Sequence, residues 1–117
     1  MDTMNALVWK GDGALSLERR PVPTLQGPRD AIVRVTRSTI CTSDLHIRNG
    51  AVPRARPGVV LGHEFAGDIV EIGSGVTGYQ AGMRVAVAPN MGCGVCDLCV
   101  SGNGHLCPHY QAFGINL

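Results

Sequence analysis

Apolar and polar residues alternate along this chain in short stretches, and each stretch is cut off by a turn signal. A period of two is the mark of a half-buried strand. Met4-Asn-Ala-Leu-Val-Trp-Lys10 reads as one strand and Ala14-Leu-Ser-Leu-Glu-Arg-Arg20 as another. Gly11-Asp-Gly13 between them predicts a hairpin. Pro21, Pro23, Gly27 and Pro28 then break regular structure. Ala31–Ser38 alternates again, with Ile32 or Val33 and then Val35 on the apolar side. Phe65–Gly73 predicts a further strand with Phe65, Ile69 and Ile72 toward the core, and Met83–Pro89 another, stopped by Pro89 and Asn90. Tyr110–Leu117 has the pattern of a strand beginning.

The alternation fails once in favour of a helix. From Thr39 to Arg48 the β-branched period stops, and Thr42, Ser43 and Asp44 are good helix-capping residues. A helix of about two turns is expected from Thr42, ended by Asn49-Gly50. The 117 residues suffice for one domain. Sixteen glycines, seven prolines and few aromatics fit a turn-rich, mostly β fold. A net charge of +1 without a basic stripe argues against nucleic acid. Arg54 and Arg56, set among prolines, look like a solvated loop. No apolar run approaches the ~20 residues of a membrane span, and the N-terminus lacks a secretion pattern. Both points predict a cytoplasmic protein.

Gly73-Ser-Gly75-Val-Thr-Gly78 has the outline of a dinucleotide fingerprint. That motif needs a helix after it. Here a strand follows, so phosphate binding is not expected.

Candidate chemistry begins with the cysteines. Four of the five fall in one run, Cys93, Cys96, Cys99 and Cys107, spaced C-x2-C-x2-C-x7-C. Four soft thiolates suit a tetrahedral structural zinc. The segment has little to pack, and a bound metal would order a lobe at about 91–109. Three other readings stay open on spacing alone, one of them a redox C-x-x-C, which explains two cysteines and not the others. An iron–sulfur run ends in Cys-Pro as Cys107-Pro108 does, but with a shorter last gap. Disulfides would leave an odd cysteine. His105 and His109 are expected to be exposed. Separately, Cys41, His63 and Glu64 offer thiolate, imidazole and carboxylate, the donors of a catalytic zinc. The plainer alternative is a buried thiol and a structural histidine. Asp44 could orient His63, Ser43 could hydrogen-bond a hydroxyl at the metal, and His46 could pass its proton to solvent.

Taken in order, Cys41-Thr-Ser-Asp-Leu-His46, Gly62-His63-Glu64, Gly73-Ser-Gly-Val76, Gly82-Met-Arg-Val85 and the cysteine run are similar to a known family. The chain resembles the N-terminal, GroES-like catalytic domain of zinc-dependent medium-chain alcohol dehydrogenases over most of its length. The resemblance implies a distorted antiparallel β-barrel with short helices and a projecting zinc lobe. It implies catalytic zinc on Cys41 and His63, with Glu64 a ligand or close neighbour. Ser43 and His46 would serve as proton relay, with structural zinc on Cys93, Cys96, Cys99 and Cys107. The reaction implied is oxidation of a small alcohol to an aldehyde or ketone, or the reverse, with NAD(P). Met83 departs from the family's usual aspartate. Thr42 stands where some members carry a basic residue that contacts the cofactor. The nicotinamide-binding Rossmann domain is expected to be absent from residues 1–117, which would leave this portion inactive alone and prone to self-association into a homo-oligomer. The alternative is a free-standing zinc module without enzymatic activity.

Overall fold

A two-residue turn at Asp12-Gly13 closes the first hairpin. It joins β1 (Thr3–Gly11) to β2 (Ala14–Pro21) in antiparallel register, with Leu7 opposite Leu17. The computed structural model describes residues 2–117. Met4, Ala6 and Val8 turn inward as alternation dictates. The register then shifts between Trp9 and Gly11, which turns Trp9 inward as well. β3 (Ala31–Thr39), β4 (Glu64–Ile72) and β5 (Arg84–Val87) form a second antiparallel sheet in the order β3-β4-β5. α1 (Thr42–Arg48) lies between β3 and β4 in the chain. β6 (Asn90–Met91) and β7 (Gln111–Ala112) pair across a long excursion that carries α2 (Asp97–Val100) and one 3-10 turn, Gly104–Leu106.

Segment 58–61 runs along the free edge of β1. Gly58 N–H donates to Trp9 O, Trp9 N–H to Val59 O and Leu61 N–H to Leu7 O, at 2.7, 3.0 and 2.8 Å. This pairing delivers the chain directly to His63. The core beneath it is Trp9, Ile47 and Ala55, with Val52, Val59, Leu61 and Ile115 packed around them. Trp9 also donates its indole N–H to Arg48 O at 3.0 Å. That satisfies one carbonyl left free at the end of α1. No helix among the described residues is long and apolar enough to cross a membrane.

The elements fall where the pattern placed them, with four differences. Of Phe65, Ile69 and Ile72, only Ile69 is buried; Phe65 is half-covered and packs edge-on against Phe113, with ring centroids 5.3 Å apart. Val35 faces solvent, because bulges in β3 at Ile32/Val33 and Val35/Arg37 break its alternation. The strand expected over Tyr110–Leu117 is only Gln111–Ala112, and Asn90–Met91 is a strand and not a stop. Two-residue strands are made by long-range pairing and leave no period in the sequence.

Candidate metal centres

The first centre is built at the junction of β3 and α1. Cys41 is the residue that caps α1, a place expected for Thr42, Ser43 or Asp44. Asp44, three residues on, accepts the Cys41 backbone N–H on Oδ2 at 3.0 Å. The helix ends in a Schellman arrangement: Gly50 N–H bonds Ile47 O, and Ala51 N–H bonds His46 O. Gly50 sits at φ 76°, which a side chain would oppose. Both ends of this short helix are thus fixed, and Ile47, 1 % exposed, pins its last turn to the core.

Cys41 Sγ, a ring nitrogen of His63 and a carboxylate oxygen of Glu64 lie within 4.8 Å of one another. Cys41 and His63 are twenty-two positions apart in sequence, and the β3–β4 pairing closes that gap. Ser43 Oγ donates to Cys41 Sγ at 3.1 Å and lies 3.1 Å from His63 Nε2. His63 Nδ1 lies 3.2 Å from Asp44 Oδ1, both side chains being 11 % exposed. The contact is close enough for an ion pair but is not aligned as a hydrogen bond, and Oδ1 has no other partner. The distance decides the reading: a proton on Nδ1 is the one group at hand to satisfy this buried oxygen. That tautomer leaves a lone pair on Nε2 facing Ser43 and Cys41. One hydroxyl proton then meets two electron-pair donors. The surplus donor capacity fits a metal ion. Glu64 is exposed, as is His46, which stands one turn beyond Ser43 on α1. Among the described residues the His46 ring makes no hydrogen bond.

In the second centre all five cysteines of the chain are free thiols, and four of them converge. Cys93 Sγ lies 4.0 Å from Cys99 Sγ, and Cys96 Sγ lies 3.9 Å from Cys107 Sγ. Ligands about 2.3 Å from a tetrahedral zinc would be ~3.8 Å apart. The match is within a few tenths. Backbone N–H groups of Cys96, Cys93 and His109 point at sulfur at 3.3 Å, the first at Cys93 and the others at Cys107. Such donors favour thiolate over thiol. Backbone N–H groups of Val95 and Cys96 accordingly hold the Cys93 thiol down to about 6. For Cys99 an N–H from Gly94 acts the same way, but desolvation and the neighbouring thiols outweigh it and push the group up to about 11. The cluster is poised to lose its first proton at Cys93. Gly92 closes the back of the site. A Cβ there would lie 2.6 Å from Cys99 Sγ. His105 and His109 are exposed and outside the cluster.

Other expected features fall outside both centres. Thr42 and Met83 face solvent. Arg54 and Arg56 are exposed and line an open cavity of about 810 Å³ with Tyr110. The glycines of Gly73-Ser-Gly75 face the loop at Pro28. Two residues went unnoticed in the sequence. Trp9, the last apolar residue of an alternating strand, gave no sign that it would hold the end of α1. Arg29, in a loop without pattern, donates to Cys93 O at 3.1 Å.

Comparison with known proteins identifies the family. Residues 27–115 match the alcohol dehydrogenase GroES-like domain family. The L-threonine 3-dehydrogenase of Xanthomonas euvesicatoria pv. vesicatoria is 41 % identical over 97 % of this chain and 34 % of its own length. Among solved structures, the alcohol dehydrogenase TADH from Thermus sp. ATN1 superposes with a TM-score of 0.89 at 36 % identity, over 97 % of this chain and 33 % of that one. Galactitol-1-phosphate dehydrogenase from Escherichia coli gives 0.85 at 30 % identity, over 96 % and 32 %. The chain spans about a third of the length of these relatives.

Proposed function

We infer, because the chain belongs to the alcohol dehydrogenase GroES-like domain family, that it supplies the zinc-binding catalytic part of an oxidoreductase. The reaction is interconversion of a small alcohol with its aldehyde or ketone. The observation that carries this reading is the convergence of Cys41, His63 and Glu64, with the Ser43 hydroxyl bonded to the first two. When bound there, zinc would act as a Lewis acid on the alcohol oxygen while NAD(P) takes the hydride. Every other task falls to side chains of the chain itself.

Cys41 and His63 are the assigned ligands, with Glu64 beside them. Asp44 keeps the His63 proton on Nδ1 and so presents Nε2 to the metal. Ser43 is placed to receive the proton of the alcohol hydroxyl. His46, exposed one turn further along α1, is the group that would pass it to water. Cys93, Cys96, Cys99 and Cys107 hold the structural zinc, since four thiolates leave no open position for chemistry. Free thiols in this number suit the cytoplasm. One feature favours self-association as well. Leu7, Leu15, Leu45 and Ile40, the last 83 % exposed, border a cavity of about 440 Å³.

The test uses cobalt(II) in place of zinc. One cobalt ion should bind tightly with the spectrum of four thiolates, and a second more weakly at Cys41 and His63. The spectrum of the second should shift on addition of azide or imidazole, which needs an open position. A single cobalt that ignores both ligands would refute the catalytic site. L-Threonine and simple secondary alcohols are the first substrates to offer to a protein that carries this chain together with a nicotinamide-binding domain, with nicotinamide absorbance as readout, since L-threonine 3-dehydrogenases stand among the relatives at about 40 % identity.

A further inference from the structure

The Gly73-Ser-Gly75 turn and Arg29 belong to neither centre, yet they are connected. Gly73 N–H donates to Asp30 O at 2.8 Å and Gly75 N–H to Pro28 O at 2.7 Å. Gln26 N–H donates to Asp30 Oδ2 at 2.9 Å, which tightens the loop on itself. A Cβ on Gly73 would lie 2.3 Å from Pro28 O. Only a glycine lets the loop lie this close. The loop at Pro28–Asp30 is therefore fastened to the end of β4. From this base Arg29 reaches a residue 64 positions away, donating Nη2–H to Cys93 O. Its Nη1 lies 3.7 Å from where a Cβ on Gly94 would stand. Among the described residues this is the only side-chain hydrogen bond between segment 92–109 and the rest of the chain. The chemistry of the lobe gives the contact its sense. Four thiolates around a divalent ion carry two negative charges in excess, and a guanidinium at the first ligand offsets part of them.

We propose that Arg29 is the clamp of the four-cysteine centre: it holds the Cys93 end of the lobe to the body of the chain and sets positive charge beside the metal–thiolate group. The inference rests on the reading that these cysteines bind zinc. Arg29 is a positioning residue, since it acts through the Cys93 backbone. Gly73 and Gly75, which resemble a phosphate-binding turn in sequence, carry the loop that places it.

The experiment follows transfer of cobalt(II) from the four-thiolate site to an external chelator, in the full chain and in Arg29→Gln, Arg29→Lys and Arg54→Gln. Removing a residue that supports a metal ligand costs about 10–100-fold in affinity. Arg29 is exposed to solvent, which screens its charge, so a rate increase of about three- to tenfold is expected for Arg29→Gln. A merely structural contact would not respond to salt. Release from the unmodified chain should quicken with ionic strength, and Arg29→Gln should lose that dependence. Arg29→Lys should keep it, and Arg54→Gln should behave as the unmodified chain. A release rate within about twofold of the unmodified chain, or an unchanged salt slope in Arg29→Gln, overturns the clamp and leaves the metal site standing. Absence of the four-thiolate spectrum in the unmodified chain overturns the metal site and the clamp together.

Discussion

Replacing Asp44 with asparagine is the sharpest single probe of the first centre. The carboxylate has two duties. Oδ2 accepts the Cys41 N–H, and Oδ1 faces His63 Nδ1 at 3.2 Å in a site 11 % exposed. Asparagine can keep only one of them as an acceptor. With its carbonyl on Cys41, its amide NH₂ meets the Nδ1–H of His63, donor against donor. The imidazole escapes by moving its proton to Nε2, the atom beside Ser43 and Cys41. That step removes the lone pair a metal needs. Losing the partner that orients a metal-ligating histidine typically costs roughly 10–100-fold in affinity. The loss should fall on the Cys41/His63 centre alone, so the ratio of the two cobalt affinities is the quantity to measure. Competition with a chelator gives the ratio, and long-range proton–nitrogen NMR of His63 gives the tautomer. Unchanged affinity in Asp44→Asn, with the proton still on Nδ1, would refute the assigned role.

Further expectations concern the lobe and the core. Gly92→Ala should weaken the four-thiolate centre by about 1–3 kcal/mol, the usual range for forced overpacking, because Cys99 Sγ at 2.6 Å has no room to retreat once it is ligated; equal cobalt affinity would contradict this. Ile47→Ala should cost about 2–5 kcal/mol in denaturant unfolding, since the side chain is 1 % exposed at the centre of the core. In the metal-free chain, Cys93 should titrate near 6 against an ordinary 9.0, and its alkylation rate should show that midpoint. A lowered acid supports the folded lobe above the unfolded value of 9.0 and loses that support as pH falls through about 6. Metal-free lobe order, followed by NMR, should therefore decline across that window and not rise.

The legible parts of the fold were those carried by local pattern. The hairpin at Asp12-Gly13, the helix from Thr42 and the strands β3 to β5 each follow from period and punctuation. The cysteine run could be read because its ligands are neighbours in sequence. Cys41 and His63 are not neighbours, and they became legible only through resemblance to a family whose motifs recur in order. What stayed hidden depends on pairing between distant segments. Asn90–Met91 is too short to show a period. Arg29 sits in a loop whose shape is set by Gly73, over forty residues away. The cap on α1 went to Cys41 because Asp44 reaches back to its N–H, a preference that intrinsic capping scales do not register.

The short β6–β7 ladder has a consequence of its own. Two residue pairs, Asn90–Ala112 and Met91–Gln111, close a neck on everything between them. An excursion closed in this way can melt and re-form without disturbing the strands outside the neck. The chain then comprises two cooperative units with separate triggers. Residues 92–110 are stabilised further by what the thiolates bind, and the remainder by the Trp9–Ile47–Ala55 core. Amide hydrogen exchange should divide along that line, with protection in the excursion following metal supply and protection in the hairpin indifferent to it.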